Sequence, residues 1–218
     1  MNKSETIFLF DVDNTLLDND RVTKDLRRFL DQAVGAEMSS SYWRIFEELR
    51  SELGYADYLG ALQRYRVKHH FDRNIVAVST YLVNYPFANR LFPNSLDVIE
   101  KCSGLGTVVI LTDGDVVFQP RKIERSGLYE AFDGNILIYI HKETELADIE
   151  YRFPAKKYVL IDDKVRILSA VKEIWGERVT TVFPRQGHYA LDDEAVAKYP
   201  PADITIERIG DLLSIDDF

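Results

Sequence analysis

Three short apolar runs, each ending in aspartates, constrain what this chain can fold into more than any other feature. The first is IFLFDVDNTLL at residues 7–17, in which four apolar residues end at Asp11 and Asp13 follows two positions later. The others are TVVILTDGD at residues 107–115 and KYVLIDDK at residues 157–164. Apolar runs of this length, bounded by polar residues, are typical of strands buried on both faces. The chain is therefore predicted to contain a sheet that is covered on both sides.

Helical periodicity separates these runs and places them in one parallel sheet. In the segment FPNSLDVIEKCSGLG, Pro93 suits the start of a helix, and Gly104 and Gly106 suit its end. Strands that alternate with helices imply a parallel sheet with helices on both faces, so the predicted fold class is α/β. The elements predicted after this helix are helices near 120–126, 144–152 and 165–175, and strands at 135–140 and 178–183, followed by the closing segment ADITIERIGDLL.

Residues 17–90 break this alternation, because they carry four helical patterns with no strand between them. The segment holds 11 Lys and Arg against 10 Asp and Glu, whereas the rest of the chain holds 16 against 26. Its basic run (Arg64, Arg66, Lys68 and His69) is interpreted as a solvated face, with the binding of an anionic substrate tail as the alternative. The four helices are predicted at 23–34, 41–53, 57–70 and 74–85.

The composition argues against several classes of function. A net charge of -9 is unlike that of general nucleic-acid-binding proteins, which need a basic surface. No stretch approaches the roughly 20 apolar residues that span a bilayer, and the N-terminus lacks the apolar region of a signal peptide. The single cysteine, Cys102, provides no disulfide framework and fits a reducing compartment. We therefore expect a cytoplasmic protein that binds neither nucleic acid nor membrane.

Polar residues follow each predicted strand, and the carboxyl ends of parallel strands meet at one edge of a sheet, where open α/β folds bind ligands. Asp11 and Asp13 share one side of the chain while it stays extended. Two acids in one site repel each other unless a cation or a shared proton intervenes, so the pair suggests a metal, an acid/base couple, or both. The residues expected at this edge are Asp11, Asp13, Thr112, Asp113, Lys142, Asp162 and Asp163.

This cluster of acids suits Mg²⁺, which prefers carboxylate oxygens, with Asp11 and Asp163 as the natural ligands. A phosphate ester would complete the site, because Mg²⁺ and the Lys142 ammonium offset phosphoryl charge and the Thr112 hydroxyl donates a hydrogen bond. Asp11 could then attack phosphorus to form an aspartyl-phosphate. Asp13 could protonate the leaving alkoxide and afterwards deprotonate the attacking water.

Together and in this order, these residues resemble the motifs of the haloacid dehalogenase-like (HAD) superfamily. FDVDNTL resembles its first motif, VVILTDG its second, Lys142 its third and VLIDD its fourth. The long helical insertion resembles the helical cap of the superfamily's first subfamily. The resemblance covers essentially the whole chain. It implies a hydrolase with a Rossmann-like core domain at residues 1–16 and 91–218 and a helical cap domain at residues 17–90.

The resemblance also implies a role for each acid. Asp11 corresponds to the nucleophile and to a Mg²⁺ ligand, and Asp13 to the general acid/base, whose main-chain carbonyl binds the metal. Thr15 corresponds to the residue that positions Asp13. Asp163 corresponds to the principal acidic metal ligand of the last motif, and Asp162 to the accessory acid at the metal.

The phosphate site is implied in the same way. Thr112 corresponds to the phosphate-binding hydroxyl and Lys142 to the lysine that orients the phosphate. Asp113 stands where Asn is frequent, and its backbone amide is expected to serve the phosphate site while its carboxylate faces away. Lys122, about ten residues after Thr112, is the competing assignment for the lysine. Lys142 is preferred because it follows a predicted strand and precedes Asp162 by 20 residues.

Asp13 bears on the reaction as well, because phosphatases of the family carry this second aspartate and its haloacid dehalogenases lack it. The leading hypothesis is a Mg²⁺-dependent phosphatase that acts on a small phosphorylated metabolite as a monomer or homodimer. A phosphonate hydrolase stays open, and it would need Lys24 or Lys68 to form an imine with its substrate. A phosphomutase and a non-catalytic phospholigand-binding module stay open as well.

Overall fold

The computed structural model describes residues 4–218, which contain one all-parallel sheet of six strands. The strands are β1 (Ser4–Phe10), β2 (Thr107–Asp113), β3 (Ile136–Tyr139), β4 (Ala155–Ile161), β5 (Val179–Pro184) and β6 (Ile204–Ile206). Their order across the sheet is β3-β2-β1-β4-β5-β6, which confirms the predicted α/β class. Within the described part of the chain, no helix combines the length and the apolar character that crossing a membrane requires.

The central strand β1 is buried on both faces, as its continuous apolar run predicts. Phe8 and Phe10 belong to one hydrophobic core, and Leu9 belongs to a second core on the opposite face. β1 pairs with β2 on one side and with β4 on the other, so that Phe10 lies opposite both Ile110 and Ile161. The residues that follow these three strands are therefore brought to the same edge of the sheet.

Helices cover both faces of the sheet and fill the connection from β1 to β2. The helices of this insertion are α1 (Asn19–Ala33), α2 (Ala36–Leu53), α3 (Tyr58–Lys68) and α4 (Ile75–Asn84). The later helices are α5 (Ser95–Ser103), α6 (Phe118–Ser126), α7 (Leu128–Ala131), α8 (Leu146–Arg152), α9 (Val165–Trp175), α10 (Gly187–Ala190) and α11 (Asp193–Val196). Short 3₁₀ helices span Phe87–Arg90, Lys142–Thr144, Gly176–Arg178 and Ile209–Ser214.

The first two helices start earlier than their apolar periodicity predicts. α1 begins at Asn19 because the Asp18 carboxylate caps it, accepting a hydrogen bond of 2.8 Å from the backbone N–H of Arg21. α2 begins directly after Gly35, whose φ of 87° reverses the chain in a conformation that suits glycine. Capping and turn residues thus extend both helices beyond the segments that their buried residues mark.

The two ends of the insertion meet side by side. The backbone N–H of Asp18 donates to the carbonyl of Arg90 at 2.8 Å, and Leu17 forms an antiparallel bridge with Leu91. The insertion packs onto the rest of the molecule through aromatic rings, such as Tyr58 against Phe118 of α6, with centroids 5.2 Å apart. The division into core and cap domains at residues 17 and 90 stays a prediction, to which this pairing gives a structural basis.

Candidate active site

Three buried carboxylates meet at the carboxyl edge of the sheet. Asp11 follows β1, and Asp162 and Asp163 follow β4, which ends at Ile161 and leaves both acids in the loop before α9. Each of the three is at most 4% exposed. One oxygen from each carboxylate lies within 4.8 Å of the others, a grouping that can hold a metal ion.

Lys142 is the cation of this cluster. Its buried Nζ donates to Asp11 Oδ1 at 2.6 Å and to the carbonyl of Leu111 at 3.0 Å. The same Nζ lies 2.7 Å from Asp162 Oδ2. One contacting ammonium among three carboxylates leaves a formal charge of -2 in a buried site, of which the nearby Lys164 offsets a part. Such a charge calls for a further cation.

The pKa shifts follow from this crowding. Burial raises the pKa of Asp163 well above its ordinary value, because Lys164 offsets the loss of solvent only in part and Asp162 and Asp11 add like charges. Burial raises the pKa of Asp162 as well. For Lys142, burial alone would lower the pKa, but the charges of Asp11 and Asp162 outweigh it and raise the pKa.

The hydrogen bonding of the acids also fits a divalent cation, because several of their buried oxygens have no donor. Asp11 Oδ2 and both carboxylate oxygens of Asp163 are buried, and none accepts a hydrogen bond from the described residues. Buried polar atoms are nearly always satisfied, so three such oxygens facing one grouping indicate a missing positive partner. Thr15 fixes this arrangement, because its Oγ1 accepts a hydrogen bond of 3.0 Å from the backbone N–H of Asp163. Thr15 thus contacts the Asp163 backbone. The role that the family resemblance implies for it, the positioning of Asp13, stays a prediction.

Asp13 lies beside the cluster but is held by a different lysine. The buried Lys122 of α6 donates to both of its carboxylate oxygens, at 2.6 and 2.8 Å, and reaches Asn19 Oδ1 at 3.2 Å. The Asp13 side chain is 26% exposed. The two candidate lysines therefore divide the site: Lys142 binds the acid cluster and Lys122 binds Asp13. Metal binding through the Asp13 carbonyl stays a prediction.

Thr112 and Asp113, the last two residues of β2, each accept a hydrogen bond from another residue of the site. Gln119 donates from Nε2 to Thr112 Oγ1 at 2.9 Å, and the hydroxyl of the buried threonine donates in turn to the Asp113 carbonyl at the long distance of 3.5 Å. Asp113 Oδ1 accepts the backbone N–H of Lys142 at 2.8 Å. The Asp113 carboxylate therefore anchors the turn that carries the lysine. Its pKa is raised by burial, against the opposing charge of Lys142.

A cavity of 650 Å³ opens between the insertion and this edge of the sheet. The sequence did not indicate which insertion residues would line it. The basic run is absent from its lining, and Arg64 instead pairs with Glu52 at 2.8 Å. Residues of α1 and α2, of the loop after α2 and of the start of α3 form the insertion side: Thr23, Lys24, Arg27, Trp43, Phe46, Glu47, Arg50, Tyr55 and Tyr58. The opposite side includes Asp13, Asp113, Gln119, His141, Lys164, Arg166, His188 and Tyr189.

Comparison with known proteins agrees with the fold. The family model for haloacid dehalogenase-like hydrolases matches residues 6–172. A haloacid dehalogenase-like hydrolase from Burkholderia xenovorans LB400 is 55% identical, with 97% of this chain and 96% of that chain covered and a TM-score of 0.93. No protein with a curated description matches. This chain belongs to the haloacid dehalogenase-like hydrolases and is therefore an enzyme of that family.

More distant solved structures share the fold. L-2-haloacid dehalogenase from Xanthobacter autotrophicus is 16% identical, with 95% of this chain and 96% of that chain covered and a TM-score of 0.61. The HAD-hydrolase YfnB from Bacillus subtilis, in a magnesium-bound form, is also 16% identical, with 97% and 98% covered and a TM-score of 0.64. Since members of this fold include dehalogenases, the reaction has to be argued from the residues of the site.

Proposed function

We propose that this protein is a Mg²⁺-dependent phosphatase that hydrolyses a small phosphorylated metabolite through an aspartyl-phosphate. The observation that carries the proposal is Asp13, a second carboxylate at the cavity beside the buried cluster of Asp11. A phosphatase needs such a group twice, first to protonate the leaving alkoxide and then to deprotonate the attacking water.

Asp11 is oriented for nucleophilic attack. Lys142 donates to its Oδ1, while its Oδ2 accepts no hydrogen bond from the described residues, so the carboxylate is only partly engaged. Attack by a carboxylate oxygen of Asp11 on phosphorus breaks the bond from phosphorus to the leaving alkoxide, which takes a proton from Asp13. A Mg²⁺ ion held by Asp11, Asp163 and Asp162 would supply positive charge against the phosphoryl oxygens.

Lys142 and Thr112 complete the phosphate site. The Lys142 ammonium is fixed by the Leu111 carbonyl and by Asp11, so it offsets phosphoryl charge without having to reorganise. The Thr112 hydroxyl accepts from Gln119, and its proton can turn from the 3.5 Å contact with the Asp113 carbonyl to a phosphoryl oxygen. These contacts support Lys142, in preference to Lys122, as the lysine that orients the phosphate.

Phosphate release from 4-nitrophenyl phosphate and from a panel of phosphorylated metabolites tests the proposal. The wild-type protein with Mg²⁺ is expected to release phosphate, and Asp11→Asn to lose this activity. Asp31→Asn makes the same change at an exposed acid of α1 outside the cavity and should leave activity unchanged. Halide release from a 2-haloacid, without phosphate release from any ester, would show a dehalogenase instead.

One observation bears on the phosphonate hydrolase. Of the two lysines that could form an imine, Lys24 lines the cavity and Lys68 does not. Borohydride trapping with a phosphonoaldehyde distinguishes this reaction, because only an imine with Lys24 would leave a covalent adduct. A phosphomutase would return the phosphoryl group to a sugar, which product analysis detects. A binding module would hold phosphometabolites with Mg²⁺ and release no phosphate.

A further inference from the structure

We infer that the substrate carries a second anionic group on a flat apolar body, and that Arg27 and Lys24 of α1 recognise that group. This inference rests on the proposed phosphatase function, since the first anion is the phosphoryl group at Asp11. It identifies a chemical class: aryl-type phosphate esters with a distal carboxylate or phosphate.

The first support is the charge balance of the cavity. Of its acidic residues, Asp13, Asp20 and Glu47 already contact a basic side chain, and Asp113 accepts the backbone N–H of Lys142. Arg166 already contacts an acid, Glu143. Lys24 and Arg27 have no carboxylate within ion-pair distance among residues 4–218, and Lys164 lies close to the acid cluster instead. The existing pairs are Asp13 with Lys122 at 2.6 Å, Asp20 with His188 at 2.6 Å, Glu47 with Arg50 at 3.7 Å and Glu143 with Arg166 at 2.5 Å.

The second support is that Arg27 is held in place without being neutralised. Its guanidinium carbon lies 4.3 Å from the ring centroid of Trp43. Edge-to-face contacts with Tyr42 and Phe46, both at 5.3 Å between centroids, fix the indole in turn. Lys24 lies three residues earlier on the same helix, so both cations project from the same face of α1. A guanidinium that is ordered by an aromatic face keeps its donors available for an anion.

The third support is an unused donor at the same place. Trp43 is 6% exposed and lines the cavity, and its indole Nε1–H is buried with no acceptor among the described residues. A buried indole N–H normally has a hydrogen-bond partner. An anionic oxygen bound beside Arg27 would provide it.

Aromatic residues line the same cavity as Arg27 and Asp13. Phe46 and Tyr58 stack with centroids 4.8 Å apart and an interplanar angle of 29°. The Tyr58 hydroxyl is already engaged with Thr23 Oγ1 at 2.7 Å, so this residue offers its ring to the cavity. The volume of 650 Å³ lies within the roughly 300–1,000 Å³ of pockets that enclose small organic ligands. A flat body with an anion at each end matches these walls and both charged ends.

Three aryl phosphates of similar size test the inference by phosphate release. They are 4-carboxyphenyl phosphate, benzene-1,4-diyl bisphosphate and the neutral 4-(hydroxymethyl)phenyl phosphate. The wild-type protein should prefer at least one anionic ester by about tenfold in kcat/KM, mainly through KM, which is the effect of one hydrogen bond to a charged group. Between the two anionic esters, the preferred one shows whether the distal group is a carboxylate or a phosphate.

The variants show whether Arg27 is responsible. Arg27→Gln should remove the preference and leave the neutral ester unaffected, and Trp43→Phe should reduce it while the ring is kept. The matched control is Arg28→Gln, because Arg28 is exposed, lies outside the cavity and approaches Asp25 only at 4.0 Å. Equal kcat/KM for all three esters in the wild-type protein, or an equal loss on all three in Arg27→Gln, would overturn the inference.

Calorimetric binding separates this result from failure of the proposed function. The same three esters are titrated with Mg²⁺ into Asp11→Asn and into the double variant that adds Arg27→Gln. If the wild-type protein hydrolyses no ester, the phosphatase proposal fails. The inference about the anion site then stands if an anionic ester binds about tenfold more tightly in an Arg27-dependent manner, and it is overturned if it does not.

Discussion

Substitution of Asp163 by Asn should stabilise the metal-free protein and abolish its stabilisation by Mg²⁺. At an effective dielectric constant of about 20, two like charges no more than 4.8 Å apart repel by at least about 3 kcal/mol. Asp163 forms two such pairs, with Asp11 and Asp162, and attraction to Lys142 and Lys164 offsets part of this repulsion. We therefore expect Asp163→Asn to raise the free energy of unfolding in chelator by about 2 kcal/mol.

Mg²⁺ should reverse the order of the two proteins. A ligand at 100 times its dissociation constant adds about 2.7 kcal/mol to the folded state, provided that the unfolded chain does not bind it. For a chain of this length, that corresponds to a rise in Tm of about 5 to 10 °C. The variant lacks a principal ligand and should gain little. In chelator it therefore melts above the wild-type protein, and with Mg²⁺ it melts below it.

Differential scanning calorimetry in chelator and in Mg²⁺, supported by urea unfolding, measures both effects. Asp31→Asn is the matched control, because it removes one carboxylate charge from an exposed site on α1. The reasoning is refuted if Asp163→Asn is less stable than the wild-type protein in chelator. It is also refuted if both proteins gain the same Tm shift from Mg²⁺, since Asp163 would then not bind the metal.

Three further predictions concern Asp13, Asp163 and the ion pair of Asp25 with Arg90. Lys122→Met removes both hydrogen bonds that hold the Asp13 carboxylate at the cavity, so steady-state kinetics should show kcat lowered by about tenfold or more with KM little changed. Burial alone would raise the pKa of Asp25, but hydrogen bonds from Tyr85 and Arg90 lower it. The stabilisation by the Asp25 carboxylate is therefore present above its unfolded-state pKa and is lost as the pH falls through its folded-state pKa. Asp25→Asn should lower the free energy of unfolding in urea by about 2 kcal/mol near neutral pH, and by less in strong acid. Burial raises the pKa of Asp163, so the metal-free protein should lose stability in thermal melts as the pH rises from acid towards neutral, and saturating Mg²⁺ should remove this trend.

The convergence of the acids follows from sequence because it depends on two strong local signals. An apolar run ending in aspartate marks a strand end, and alternation with helices makes the strands parallel. Those two signals are enough to bring Asp11 and Asp163 together across about 150 positions. The position of Lys142 follows in the same way, since it lies just after β3.

The partners of individual side chains could not be predicted in this way. The pairing of Lys122 with Asp13 depends on how α6 packs beside β1, and no local pattern in either segment specifies that distance. The same holds for the cavity. Helical periodicity identifies the buried face of each insertion helix, but it does not specify how the insertion is oriented over the sheet. The sequence therefore drew attention to the basic run that includes Arg64, while the cavity is lined by Arg27 and Lys24.

The pairing of Asp18 with Arg90 has a consequence for how such enzymes diversify. The chain leaves the sheet and returns to it at two adjacent points, 2.8 Å apart between backbone donor and acceptor. The insertion could therefore be replaced, shortened or duplicated without changing the register between β1 and β2. Recombination at these two points can replace the residues on the insertion side of the cavity while the acid cluster at the edge of the sheet is kept.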